Sequence, residues 1–151
     1  MAKAKDQSKK FVYKSSVAWQ ENKKGILTSL GKPNIPVAPP PEFKGYVGVW
    51  TPEDLLVASA NSCYLLTFLF YINKENIELI TYECEAEGIL KLVDKRLAIA
   101  EVKLMPRISV RLSNENAEKL NSLLGLSKQH CFIFNSIKAK VEIFPEIKYL
   151  S

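Results

Sequence analysis

TPEDLLVASANSCYLLTFLFYINKEN, residues 51–76, carries the start, body and end of one long helix. Thr51 offers a hydroxyl at the N-cap, Pro52 suits the first helical position, and Glu53 and Asp54 complement the helix dipole. Asn76 is a breaker, so the helix is expected to run to about Asn73. Apolar side chains occupy almost every face, among them Leu56, Val57, Ala60, Leu65, Leu66, Phe68, Leu69 and Phe70. A surface helix shows one apolar stripe. From Leu55 to Ile72 the stretch approaches the roughly 18 to 20 apolar residues of a membrane span, but Ser59, Asn61, Ser62 and Thr67 interrupt it. It reads as a buried central helix, and no membrane partner is expected.

On either side of this helix the pattern is that of strands. Phe11 to Trp19 alternates in part, Lys23-Lys24-Gly25 supplies a turn, and Ile26 to Leu30 is a partner strand closed by Gly31-Lys32-Pro33. Pro39 to Pro41 forbid helix and discourage a central strand, which predicts an extended loop ending in Gly45 and Gly48. After the helix, Ile77 to Leu92 and Leu97 to Arg111 form a hairpin around Val93-Asp94-Lys95. The alternation slips near Met105-Pro106, as at a bulge or a strand break. Ser113 or Asn114 caps a helix through Leu124, and Gly125 ends it. Ser127 caps a second short helix carrying Cys131, and Lys138 to Phe144 is a last strand. The order β-β-loop-α-β-β-α-α-β predicts an α+β fold with two β-sheet segments. It fits one domain over residues 11–151 behind a basic tail of residues 1–10.

The bulk numbers agree with one domain. A chain of 151 residues, 47% of them apolar and 25% charged, can bury a substantial core. The first 50 residues carry nine lysines against Asp6, Glu21 and Glu42, while the whole chain has a net charge of +5. The lysines are scattered among strand positions and no nucleic-acid motif accompanies them, so a solvated basic end is expected and no nucleic-acid partner. MAKAKDQSKK has no apolar secretory core, which predicts a cytoplasmic protein. Thiols are kept reduced there, and three cysteines are an odd number for a structural disulfide framework.

Cys63 and Cys131 are 68 residues apart, the first inside the apolar helix and the second in KQHCFIFNSI. A buried cysteine is commonly inert filler. Two near helices can also be a thiol pair that reacts with an oxidant and closes to a disulfide. Cys84, mid-strand with no charged motif around it, reads as packing. One histidine, His130, and widely spaced cysteines lack metal-ligand spacing. No Gly-rich phosphate loop or nucleophile elbow is present, so no cofactor or metal is expected.

The stretch PPPEFKGYVGVWTPEDLLVASANSCYLLTFL resembles the signature of the OsmC/Ohr family, the osmotically inducible and organic hydroperoxide resistance proteins. The matching positions are Pro52, Glu53 and Leu55 at the helix start, Cys63 ten residues after the glutamate, and Cys131 at the family's second-cysteine spacing. The resemblance spans roughly residues 11 to 145. It implies an intertwined homodimer with the long helix buried between sheets, and a large dimer interface would supply the cover that helix needs. It also implies reduction of organic hydroperoxides. Cys63 attacks the peroxide, Cys131 resolves the sulfenic acid, and an external dithiol restores both.

Attack requires a thiolate, and burial among leucines works against one, so a positive partner is needed. The peroxidase members are expected to use an arginine from the N-terminal segment, held by the helix-start glutamate, here Glu53. This sequence has no arginine before Arg96. The cations nearest the motif are Lys32, Lys44 and His130, with Lys44 in the adjoining loop; lysine lacks the bidentate geometry of arginine. Glu53 and Cys63 lie roughly 15 Å apart along a helix, so a Glu53 that serves a Cys63 site must come from the other subunit. Two readings follow. One is a thiol peroxidase for hydrophobic hydroperoxides, with Tyr64, Phe68, Phe70, Phe132 and Phe134 lining its pocket. The other is a non-catalytic dimer that binds a hydrophobic ligand or senses redox state slowly.

Overall fold

The computed structural model describes residues 9–112 and 116–150. The chain divides into two compact units, Met1–Pro52 and Glu53–Ser151. Among the described residues they hold two sheets and two α-helices, an α+β fold as expected.

The first unit is a three-stranded antiparallel sheet in the order β1 (Ser16–Glu21), β2 (Lys24–Thr28), β3 (Ile35–Val37). Strand β1 begins later than the alternation suggested, and the turn falls one residue earlier, where Asn22 adopts a left-handed φ of 46°. Asparagine tolerates that region better than lysine does. The proline segment is extended through Pro40 and then turns. Pro41–Phe43 forms a 3-10 turn, Lys44 closes it at φ 57°, and the Gly45 and Tyr46 amides donate to the Pro40 and Pro39 carbonyls at 3.0 and 3.1 Å. Proline is harmless at the first position of such a turn, where its missing N–H would have had no partner. Gly45 is required here, since a Cβ would lie 1.6 Å from the Pro39 oxygen.

Helix α1 runs Pro52–Lys74. It ends in a Schellman motif: Asn76 is left-handed at φ 53°, Ile77 N–H donates to the Ile72 carbonyl at 3.0 Å, and Asn76 N–H to Asn73 at 3.1 Å. Ile72 and Ile77, the apolar pair that accompanies this motif, are both buried. By length and composition α1 could cross a membrane. Its polar interruptions are satisfied locally, with Ser59, Ser62 and Thr67 donating to the carbonyls of Leu56, Ala58 and Cys63. Ala60, Tyr64, Phe68 and Ile72, one residue every four, form the stripe that packs into the core of the second unit.

Strands β4 (Glu78–Val93) and β5 (Arg96–Arg111) form a long antiparallel hairpin whose two-residue turn, Asp94-Lys95, has φ of 48° and 65°. Such values match the strand twist in the tightest hairpins. β5 does not break at Pro106, which pairs with Cys84; the irregularities lie at Leu79/Thr81 and Ile89/Leu90. On its other side β5 carries two parallel partners in succession, β6 (Lys140–Ile143) against residues 101–104 and β7 (Glu146–Leu150) against residues 107–111. Pro106 sits in the gap between them, where a missing N–H leaves no ladder bond unmade. The sequence reading had one terminal strand where two exist, separated at Pro145.

Helix α2 is continuous over Ala117–His130 and passes through Gly125. An interior glycine costs only about 1 kcal/mol, and Leu120, Leu123 and Leu124 anchor the helix in the core. Ser127 does not cap a new helix; its hydroxyl is buried and donates to the Leu123 carbonyl at 2.6 Å. The expected cap at Ser113 or Asn114 lies outside the described residues. Cys131 is therefore the residue that terminates α2, and a 3-10 turn, Phe134–Ser136, follows it.

Candidate functional site

The two cysteines singled out by spacing meet in the second unit. Cys63 comes from the middle of α1 and Cys131 from the end of α2, and the Cys63 thiol is near enough to act electrostatically on the Cys131 thiol. They differ in surroundings. Cys63 is partly exposed, whereas Cys131 is completely buried. Burial pushes the Cys131 thiol up to about 11, and the hydrogen bond and charge of Cys63 push the same way. The backbone N–H groups of Phe134 and Ile133 pull against them, because they stabilise a thiolate. These two donors exist because Cys131 both closes α2 and opens the next turn, with the Asn135 amide bonded to its carbonyl at 3.1 Å. Sequence reasoning placed Cys131 inside a helix and so missed the donors.

Aromatic residues wall the pair. Tyr64 stacks on Phe134 with ring centroids 5.7 Å apart, and its hydroxyl donates to the Leu124 carbonyl at 3.4 Å. Burial holds the Tyr64 and Tyr82 phenols protonated well above their ordinary range. Phe68 is buried against Tyr82, so it serves the core, while Phe70 and Phe132 are 63% and 78% exposed. Tyr64 and Phe134 border shallow clefts of about 220 and 380 Å³ beside α2.

Cys84 lies on the inner face of β4 beside Tyr82, its backbone carbonyl accepting from the Asn61 side chain at 3.0 Å. Burial raises its thiol, as expected of packing. Glu53 and Cys63 stand on one uninterrupted helix, at the separation that keeps them apart within a chain. One carboxylate oxygen of Glu53 is buried without a hydrogen-bond partner among the described residues.

Two arginines of the second unit are engaged in ion pairs. Arg107 bridges Glu83 and Glu85 at 3.1 and 3.2 Å, and Arg111 pairs with Glu78 at 2.9 Å. His130 packs its ring against Tyr71, with centroids 6.0 Å apart. Tyr71 is two turns along α1 from Cys63, so the histidine is not beside that sulfur. Lys44 belongs to the first unit, where its carbonyl accepts from Lys23 at 3.1 Å. The groups that act most strongly on Cys131 include no cation.

Residues 46–145 match the sequence model of the family described as OsmC-like protein. The fold aligns with an OsmC-like protein of unknown function from Vibrio cholerae, VCA0330, at a TM-score of 0.82 and 22% identity, covering 92% of this chain and all of that one. The organic hydroperoxide resistance protein OhrB of Bacillus subtilis aligns at 0.61 and 18% identity, over 91% of this chain and 98% of that one. An uncharacterised Bacillus subtilis protein, YmaD, is 21% identical over 83% of this chain and 85% of its own length.

Proposed function

This chain belongs to the OsmC-like protein family, which includes organic hydroperoxide resistance proteins, and from that premise we propose that it is a thiol-dependent peroxidase for organic hydroperoxides. The observation that carries the reading is the Cys63–Cys131 pair: a partly exposed cysteine on α1 whose thiol acts electrostatically on that of a fully buried cysteine after α2. The exposed member meets the oxidant and the buried member waits for it.

In this cycle the Cys63 thiolate attacks one peroxide oxygen. The O–O bond breaks, an alcohol leaves after taking a proton, and Cys63 becomes a sulfenic acid. Cys131 then attacks the Cys63 sulfur and water departs, which leaves a disulfide. An external dithiol restores both thiols, and such chemistry suits a reducing, cytoplasmic setting. Neither a metal nor a cofactor takes part.

The reading includes a homodimer. Leu66 and Phe70 on α1 are 65% and 63% exposed, and in the first unit Tyr13 and Trp19 are 90% and 76% exposed. So much uncovered apolar surface calls for a partner of the same kind. Glu53 gives a second reason, since a carboxylate oxygen without a partner is costly to bury. As the cation that supports the Cys63 thiolate we assign Lys44.

The alternative is a dimer that binds a hydrophobic ligand, or a slow redox sensor. The engagement of Arg107 and Arg111 with glutamates favours it. Stoichiometric cumene hydroperoxide separates the two readings. Loss of two thiols and 2 Da per chain, abolished by Cys63→Ser, with sulfenic acid trapped in Cys131→Ser, is the outcome expected of the peroxidase; ~2 Da is the mass of two hydrogens lost on disulfide formation. No thiol loss over an hour at neutral pH would leave the ligand-binding reading.

A further inference from the structure

A disulfide is opened when a thiolate attacks one sulfur and expels the other, and the outcome depends on access to each sulfur and on how well the leaving thiolate is stabilised. Both factors distinguish the members of this pair. Cys131 is 0% exposed while Cys63 is partly exposed. The Cys131 sulfur faces the backbone N–H groups of Ile133 and Phe134. Cys63 lies mid-helix, where backbone N–H groups are committed to the helical ladder. Within the chain, one cysteine is partly exposed and has no backbone cradle, and the other has the cradle and is fully buried.

We infer that reduction starts at Cys63, and that the mixed disulfide of the catalytic cycle is carried there, with Cys131 departing into the Ile133 and Phe134 amides. The thiolate of an external dithiol bonds to the Cys63 sulfur. The Cys63–Cys131 bond breaks, and its electron pair goes to Cys131, which then takes a proton from solvent. The second thiol of the reductant, once deprotonated, attacks the reductant's own sulfur in the mixed disulfide. The reductant leaves as a cyclic disulfide, and Cys63 is released as a thiolate. Two electrons pass from dithiol to protein. This inference rests on the pairing proposed above.

The raised Cys131 thiol opposes departure, since a more basic thiolate leaves more slowly. Two of the effects that raise it come from Cys63 itself, and a Cys63 capped by the incoming sulfur no longer exerts them. Attack at Cys131 would first require the buried site to open. Once expelled, Cys131 takes up its proton, and the mixed disulfide it faces is a poorer electrophile than the sulfenic acid it attacks in the forward cycle. Cys131 is slow to close back on Cys63, so a reductant with only one thiol should stall on Cys63.

The test uses the full chain with Cys84→Ser, so that the third thiol cannot exchange. Diamide, which needs no peroxidase activity, makes the disulfide. Glutathione is added at neutral pH, the reaction is quenched in acid, free thiols are alkylated, and peptides are mapped by mass. Glutathione on Cys63 with alkylated Cys131 is expected, in about tenfold or greater excess over the reverse. Glutathione on Cys131, or equal amounts on both, overturns the inference. Failure of diamide to couple the two cysteines overturns both the pairing and the inference. A disulfide that forms with diamide, is opened at Cys63, and never forms with hydroperoxide removes the peroxidase reading alone.

Discussion

Replacing Gly88 with alanine should loosen the grip of β4 on the helix that carries Cys63. An added Cβ would lie 2.4 Å from a Val57 methyl and 3.6 and 3.7 Å from two methyls of Ile99. Carbon atoms pack best at about 3.5 to 4.0 Å, so the valine contact is short by roughly an ångström. Val57 is β-branched and has no flexible tail to swing aside, so relief requires a poor rotamer or a shift of α1 away from β4. Overpacking of this kind costs about 1–3 kcal/mol, and alanine recovers about 0.5–1 kcal/mol over glycine within a strand. A net loss of about 1–2 kcal/mol remains, or about 2–8 °C in Tm for a chain of this length. Both tryptophans, Trp19 and Trp50, lie in the first unit. The second unit is therefore better followed by far-ultraviolet circular dichroism in urea, at fixed protein concentration because an oligomer's stability depends on it. Val57→Ala deletes the obstructing methyl, so the double variant should recover about 1 kcal/mol relative to the sum of the singles. A Gly88→Ala protein as stable as the parent, or strictly additive effects, would refute this packing of α1 on β4.

Gly125→Ala should act in the opposite sense. Its Cβ would meet nothing within 4 Å and the position is helical, so thermal melting should show a gain of about 0.5–1 kcal/mol. In the folded state burial pushes the Cys131 thiol up from its ordinary 9.0 to about 11. The folded state therefore holds its proton longer, and the stability this contributes is complete below pH 9 and lost as pH rises toward 11. Urea midpoints at pH 8 and pH 10 should fall less in Cys131→Ser than in the parent; a residual fall is expected from Tyr64, Tyr82 and Cys84, whose protons burial also retains. Lys44→Met should slow sulfenic acid formation at Cys63 by about tenfold or more in stopped-flow assays, the effect of removing about 1.4 kcal/mol of thiolate stabilisation; an unchanged rate would dismiss Lys44 as the cation. If the proposed homodimer uses this face of α1, the parent should sediment as a dimer and Leu66→Glu with Phe70→Glu as a monomer; a monomeric parent refutes the dimer, and a dimer that survives both changes places the interface elsewhere.

The features legible in the sequence were those set by local chemistry. Thr51, Pro52 and Asn76 marked both ends of α1 to within a residue or so, and Asp94-Lys95 marked the long hairpin, because caps and tight turns act within a few residues. The misreadings came where tertiary packing overrode a local signal. Gly125 reads as a stop, yet the leucines on either side bury α2 straight through it. Pro106 reads as a break, and only the partners of β5 reveal that its missing N–H faces a join between two strands. Cys131 was found by its distance from Cys63. Its thiolate-stabilising amides were not, since they depend on where α2 stops. Glu53 was legible as a helix-start carboxylate, but the lack of a partner for its buried oxygen emerges only from the surroundings.

The arrangement around β5 also governs the order in which the second unit can assemble. Its hairpin partner β4 is joined by two residues and can zip early, within microseconds for a typical hairpin. β6 and β7 arrive in parallel from well beyond α2, and pairings that close long loops form late. Until they arrive, the far edge of β5 presents sixteen residues of open backbone, flanked by Val102, Leu104, Ile108 and Val110. An uncovered apolar edge is a template for other chains. Substitutions in β6 or β7 that delay this last closure should therefore reveal themselves first as lost soluble yield, before any change in the midpoint of unfolding.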